Sequence, residues 1–378
     1  MTSRTSLLRV TLALVAALSI TTLVLAQDSD RIEPHKPLPS TALVLAHGEK
    51  FGIQGSGFLV DRGERLLLTN EHVAKVEQKV EVMFPMTADD GRILASRDLY
   101  FKKAPRIRGV CVGSTADRDL ALIKLASVPN VVPEVKLASK MLKVGDRTHL
   151  LGNPAKDSQV WVYGFGKVKE IGPTVLTFGP KDKVEATVMV LTTEDRKIGP
   201  GASGGPVVND QGELVGVIQS ATPDARNINC IETAEVRVFL GSYYRFLGTE
   251  ALQKKDYNEA VAKCTKAVEI NPADAVAYNE RAVAYAFQRR LEEAIADYTS
   301  AVKLDPKLAR AWRGRGSAHY MLGKYEQAVA DAGEAIKVDP KYAQAYLSRS
   351  RAYQKLGKSA EAKSDYETAV KLDPALKQ

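Results

Sequence analysis

Apolar positions along this chain fall into two textures. From about Thr41 they gather in short runs rich in Val, Ile and Leu, separated by turn residues. The runs are Thr41–Ala46, Gly57–Val60, Arg65–Thr69, Lys79–Phe84, Arg106–Val112, Leu120–Leu125, Arg147–Leu151, Gln159–Val168, Val184–Leu191, Pro206–Val208 and Leu214–Gln219. Many short strands at close spacing predict an all-β sandwich or barrel, and about six strands in each of two groups fit two small barrels better than one large sheet. At about Glu232 the texture changes. Glu235-Val236-Arg237-Val238-Phe239-Leu240 opens a helical spacing that continues to the end of the chain.

The helical part has a period. Asn271-Pro272, Asp305-Pro306, Asp339-Pro340 and Asp373-Pro374 recur 34 residues apart. Ala260, Ala294, Ala328 and Ala362 share one register, and Ala267, Ala301, Ala335 and Ala369 a second. Tyr244, Tyr278, Trp312 and Tyr346 share a third, and Gly248, Ala282, Gly316 and Ser350 a fourth. Small residues let antiparallel helices approach, aromatics fill the gap to the next pair, and Pro stops one helix and opens the next. Over about Gly241 to Pro374 this resembles the tetratricopeptide repeat, four copies of which make an all-α solenoid. Such a solenoid implies a protein or peptide partner on its concave face. Arg281, Arg315 and Arg349, in one register, hint at recognition of acidic groups or a C-terminal carboxylate.

Composition changes this picture little. At 378 residues, 45% apolar and 26% charged, the chain is long enough for two or three globular domains. The net charge of +8 is spread among interspersed acids, without the basic runs and interleaved aromatics of a nucleic-acid binder. Cys111, Cys230 and Cys264 form no CxxC pair and no metal-spaced cluster. A Cys111–Cys230 disulfide and three buried thiols both remain open. No metal site, cofactor motif or nucleotide loop is expected.

The N-terminus does change the picture. Arg4 and Arg9 precede an apolar run from Val10 to Ala26, followed by polar residues from Gln27. That pattern predicts an export signal over residues 1–26, cleaved after Ala26, with an uncleaved membrane anchor as the alternative. The mature chain is then secreted or periplasmic, with no stable membrane span. The expected order is signal peptide 1–26, exposed leader 27–40, β domain 41–240 and helical repeats 241–378.

Candidate chemistry centres on Gly199-Pro200-Gly201-Ala202-Ser203-Gly204-Gly205-Pro206, where a serine sits among glycines. Dense glycine permits positive φ and close approach of other groups, as a nucleophile flanked by oxyanion-binding N–H groups requires. A base is offered by His72, at the end of the run Leu66-Leu67-Leu68-Thr69. An acid is offered by Asp119, just ahead of Leu120-Ala121-Leu122-Ile123-Lys124-Leu125. The order His72, Asp119, Ser203 has separations of 47 and 84 residues.

With Gly55-Ser56-Gly57-Phe58-Leu59-Val60 ahead of them, these segments resemble the trypsin-like serine peptidases, in particular the Deg/HtrA-type branch, over about residues 40–240. The resemblance implies two six-stranded β-barrels with a site in the cleft between them. It implies a serine endopeptidase in which Ser203 attacks, His72 transfers the proton and Asp119 holds the imidazole. The N–H groups of Gly201 and Ser203 would bind the oxyanion, and Lys197, Ile198, Gln219, Ser220 and Ala221 would line the substrate pocket. Two positions depart from the family pattern. Glu71 stands where Ala usually precedes the histidine, and Ala202 where Asn or Asp usually precedes the serine. The competing reading is a catalytically silent trypsin-like scaffold whose repeats carry the function.

Overall fold

The computed structural model describes residues 31–32, 38–46, 53–75, 77–155, 160–177, 183–193, 198–222 and 224–377. The expected export segment 1–26 lies outside these, as does most of the expected leader 27–40. The chain divides into two compact units, Met1–Val236 and Arg237–Gln378.

The first unit holds two closed barrels of six strands each, as expected. A minor pair, β1 (Arg31–Ile32) and β6 (Ile93–Leu94), stands apart from them. The first barrel joins β2 (Thr41–Ala46), β3 (Ile53–Asp61), β4 (Leu66–Thr69), β8 (Leu120–Leu125), β7 (Ile107–Thr115) and β5 (Lys79–Met83) in that spatial order. Its interior cluster includes Val44, Leu59, Leu67, Val82, Ala121 and Ile123. All four residues of β4 are buried, so the stretch ahead of His72 is covered on both faces of the sheet. Fully burying one Leu of this kind stabilises the fold by about 1.5–3 kcal/mol.

The second barrel runs β10 (Val162–Thr177), β11 (Lys183–Thr192), β14 (Asn227–Glu232), β13 (Leu214–Ala221), β12 (Pro206–Val208) and β9 (Arg147–Gly152). Leu150, Met189, Leu191, Val207, Ile218 and Cys230 fill it. Strand β14 was absent from the apolar runs, because Asn227-Ile228-Asn229-Cys230-Ile231-Glu232 alternates polar with apolar. It is nevertheless essential to closure, pairing β11 on one side and β13 on the other. The helix α1 (Arg97–Lys103) between β6 and β7 was also unanticipated. Cys111 and Cys230 sit in the cores of different barrels, and all three thiols are buried and free.

The second unit is a run of paired helices. After α2 (Thr233–Gln253) come α3 (Tyr257–Ile270), α4 (Ala275–Phe287), α5 (Leu291–Leu304), α6 (Ala309–Met321), α7 (Tyr325–Val338), α8 (Ala343–Lys355) and α9 (Ser359–Leu372). Both alanine registers are buried in every copy, where a larger side chain would hold the helices apart. Pro374 opens a short 3-10 helix as expected, but Pro272, Pro306 and Pro340 act differently. Asp305, for example, ends α5 by donating its N–H to Ala301 O, and Pro306 lies in the turn, three residues ahead of α6. Proline here stops one helix without starting the next.

The recurrent arginines do not reach outward for an acid. Arg281 clasps Asp297 through Nε and Nη2 at 2.6 and 2.8 Å. Arg315 holds Asp331 at 3.1 and 2.7 Å, and Arg349 holds Asp365 at 2.7 and 2.8 Å. Each pair spans 16 residues, from the first helix of a repeat to the second. Nη1 of Arg281 and of Arg315 also donates to Thr265 and Thr299, one helix back. The guanidiniums are part of the solenoid's own bonding, which corrects the partner-binding role suggested by their register.

Candidate active site

His72 leaves β4 in a tight turn. Val73 and Ala74 N–H both donate to Asn70 O at 3.2 Å, and both side chains are buried anchors. Asp119, 2% exposed, sits at the entrance of β8 with φ of 51°. Positive φ is uncommon for a residue with a Cβ, and Asp is among the few that adopt it readily. Asn70 holds that conformation by donating Nδ2–H to Asp119 O at 2.8 Å.

The Asp119 carboxylate faces His72 twice. It accepts the His72 backbone N–H at 3.0 Å, and both oxygens lie 2.9–3.0 Å from Nδ1. An ionised carboxylate accepts, so Nδ1 carries the proton and Nε2 is the basic nitrogen. The imidazole is about one-third exposed, at 35%, while its carboxylate partner is buried at 3%. One face of the pair is thus fixed in the protein and the other is open to a reactant.

Ser203 comes from the second barrel. Its Oγ donates to Gln219 O on β13 at 2.9 Å. Its carbonyl accepts from Ser56 N–H on β3 at 2.7 Å, so the two barrels are tied at the serine itself. Gly201 has φ of 99° and Gly204 φ of 85°. A Cβ on Gly204 would stand 2.1 Å from Ser56 O, so only glycine allows this approach. Among the described residues, the N–H groups of Gly201 and Ser203 have no acceptor, although the loop around them is otherwise well bonded. Two unsatisfied donors beside a serine form a ready site for a developing negative charge.

His72, Gly201, Ser203, Gln219, Ser220 and Ala221 share one cleft of about 300 Å³. Of the expected pocket residues, Gln219, Ser220 and Ala221 line it. Lys197 lies outside the described residues. Ile198 is fully buried in the core of the second barrel. Ala202 is fully buried too, packed on Gly152, where a Cβ would come within 2.6 Å of Ala202 Cβ. The close backbone approach there accounts for a small residue ahead of the serine.

Two neighbours of the site were missed in the sequence. Asn70 had a signal, standing two residues from His72 at the end of a buried strand. Gln54 lines the cleft and is held by Arg97 Nη1 at 2.9 Å, a contact across 43 residues that no local pattern announces. No group of His, Cys, Asp and Glu arranged to hold a metal occurs among the described residues.

Residues 55–217 match the family model of the trypsin-like peptidase domain. Tetratricopeptide repeat models match residues 241–274, 263–296, 288–323, 309–342 and 343–376. A relative from Buchnera aphidicola, a probable periplasmic serine endoprotease described as DegP-like, is 31% identical over 181 residues, which cover 47% of this chain and 33% of the relative. A putative serine protease, HhoA, from Synechocystis is 33% identical over 177 residues, covering 46% of this chain and 39% of that one. The chain therefore spans about a third of the length of these curated relatives. Among solved structures, the active form of the Rv3671c protease of M. tuberculosis superposes with a TM-score of 0.41 at 20% identity, over 55% of this chain and 87% of that one. The chain joins a trypsin-like peptidase domain to a run of tetratricopeptide repeats.

Proposed function

We propose that this protein is a serine endopeptidase that cleaves protein or peptide substrates in the cleft of its barrel unit. The observation that carries this reading is the Asp119 carboxylate seated on His72 Nδ1, in one cleft with Ser203 and with the N–H groups of Gly201 and Ser203, which have no acceptor among the described residues. In the proposed reaction, Ser203 Oγ turns from Gln219 O toward His72, and Nε2 takes its proton as Oγ bonds to the substrate carbonyl carbon. The N–H groups of Gly201 and Ser203 receive the oxyanion. Imidazolium returns the proton to the leaving amine, and water hydrolyses the acyl-enzyme by the same steps in reverse roles. One hole donor of this kind is worth about 2.7–4 kcal/mol of transition-state stabilisation.

The repeat unit would bind a protein or peptide, delivering substrates or partners. The basic and apolar N-terminal segment supports an extracytoplasmic location, and no helix among the described residues is long and apolar enough to cross a membrane. Labelling of the purified full chain by a fluorophosphonate probe tests the chemistry. Wild type should label and Ser203→Ala should not. Silence of wild type, or equal labelling of the variant, overturns the enzyme reading in favour of a silent scaffold. An exported protein whose first residue is Gln27 would support the expected cleavage, and an intact N-terminus would point to the anchor.

A further inference from the structure

The direction of an N–H group is set by its peptide plane, because the carbonyl of the same trans peptide points the opposite way. The Gly201 N–H shares its plane with the Pro200 carbonyl, which accepts from Ala155 N–H at 2.7 Å. The Ser203 N–H shares its plane with the Ala202 carbonyl, which accepts from Gly205 N–H at 2.9 Å. Between these planes lies the 201–202 peptide, hinged on a glycine with φ of 99°. A glycine hinge has little conformational preference of its own, so its peptide depends on its partners: Ala202 N–H donates to Gly199 O at 3.1 Å within the loop, and the carbonyl is bonded from outside it.

The carbonyl of the hinge is held from the first barrel. Ser56 Oγ donates to Gly201 O at 3.1 Å and accepts from Asn153 N–H at 2.9 Å. Ser56 is pinned in turn, since its N–H donates to Ser203 O at 2.7 Å and its carbonyl accepts from Thr69 Oγ1 at 2.6 Å. Both Ser56 and Asn153 are fully buried. Residues 153–155 thus reach the hinge by two routes, through Ser56 and through Ala155. They also lie directly against it, for a Cβ on Gly201 would stand 2.5 Å from Ala155 N and 2.8 Å from Asn153 O.

We infer that Ser56 is a positioning residue for the oxyanion site: its hydroxyl fixes the Gly201 hinge so that the N–H groups of Gly201 and Ser203 converge on one point. This rests on the reading of Ser203 as the nucleophile. Without the hydroxyl, the barrels remain tied by Ser56 N–H and Ser203 O, yet the 201–202 peptide loses its external partner.

The full chain is tested with p-nitrophenyl acetate, an acyl donor that needs no matched side-chain pocket, and with casein. In Ser56→Ala, acylation slows about 10- to 100-fold, less than the roughly 10²- to 10³-fold of losing a donor outright. The dissociation constant of the Michaelis complex, read from the substrate dependence of the pre-steady-state burst, changes by less than about twofold, because the lost interaction belongs to the transition state. The pH profile of kcat/KM keeps its wild-type midpoint, since the His72–Asp119 pair is untouched. Ala155→Pro, which removes the other N–H tie at an exposed position, slows acylation in the same way, and Ala155→Gly does not. A wild-type acylation rate constant in Ser56→Ala overturns the proposal, as does a weaker Michaelis complex with the acylation rate constant intact. Should Ser56→Ala fail to fold, Ala155→Pro decides alone, and a wild-type rate there overturns it. Absence of acylation and casein cleavage in wild type refutes the nucleophile reading itself, a different outcome from either.

Discussion

The barrel unit and the repeat unit treat buried charge in opposite ways. In the repeats one solution is copied: Arg281–Asp297, Arg315–Asp331 and Arg349–Asp365 have the same forked geometry in the same register. Each arginine is pushed above its ordinary pKa by its aspartate where a shift is resolved, at Arg281 and Arg349. In the barrels the buried polar groups occur once each. Asp119, Asn70, Ser56, Thr69 and Asn153 form contacts that are not repeated among the described residues. A pair that recurs with the period of a fold serves the fold. A buried acid with positive φ whose carboxylate is bonded to a part-exposed histidine, as Asp119 is, fits the proposed site instead.

The sharpest way to break this contrast is to neutralise one aspartate of each kind. Asp119→Asn keeps shape and tolerates positive φ, but it no longer dictates the imidazole tautomer. Phosphonylation by the fluorophosphonate and acylation by p-nitrophenyl acetate should both fall about 10³- to 10⁴-fold. Its thermal midpoint should stay near wild type. A drop of less than tenfold would remove Asp119 from the machinery.

Asp331→Ala should do the reverse. It leaves Arg315 and His319 without the carboxylate they share, whose nearest atoms lie 2.7 and 2.9 Å away. The repeat unit should lose about 3 kcal/mol of stability, read by guanidinium denaturation followed by far-UV circular dichroism. The acylation rate at 25 °C should not change. A double variant, Arg315→Met with Asp331→Leu, should recover much of the loss, because a removed pair leaves no orphan charge. If it recovers nothing, the pair is not the source of the effect.

Alkaline pH probes the two cores more gently. Burial raises the Cys111 thiol from 9.0 to about 11, and raises Cys264 from 9.0 to about 12. The folded state therefore keeps a proton that the unfolded chain releases. The stabilisation is complete below pH 9 and is lost as pH climbs through about 11 for the Cys111 contribution and about 12 for the Cys264 contribution. Cys264→Ala should flatten the alkaline slope of the repeat transition alone. The smallest effect is chemical. At pH 8 the native chain should react with less than one equivalent of a disulfide reagent, and with three once unfolded, since all three thiols are buried. Rapid reaction of the native protein would contradict the core positions assigned to them.

Much of the candidate site was legible because each member stands next to a strong local pattern. His72 follows a strand with no polar residue before Thr69, Asp119 precedes a nearly unbroken apolar strand, and Ser203 sits in glycines. What local pattern could not carry is direction. Ile198 and Ser220 looked alike as pocket candidates, yet one fills a barrel and the other lines the cleft. The arginines in shared register were read as outward-facing, and only the helix sixteen residues on shows where their charge goes. Strand β14 was missed because its alternation lies at the seam where helical spacing begins.

By itself, the sequence marked the division into β and helical parts, the 34-residue period, and His72, Asp119 and Ser203 as the candidate site, of which His72 and Ser203 line one cleft and Asp119 is bonded to His72. A 34-residue period is a local property copied four times, and a strand's apolar run is complete within eight residues or so. Barrel closure, the aim of the Gly201 hinge and the tie from Ser56 across 145 positions belonged to the tertiary structure. These depend on which peptide planes meet when two closed sheets pack together, and glycine, serine and asparagine carry no pattern that foretells it.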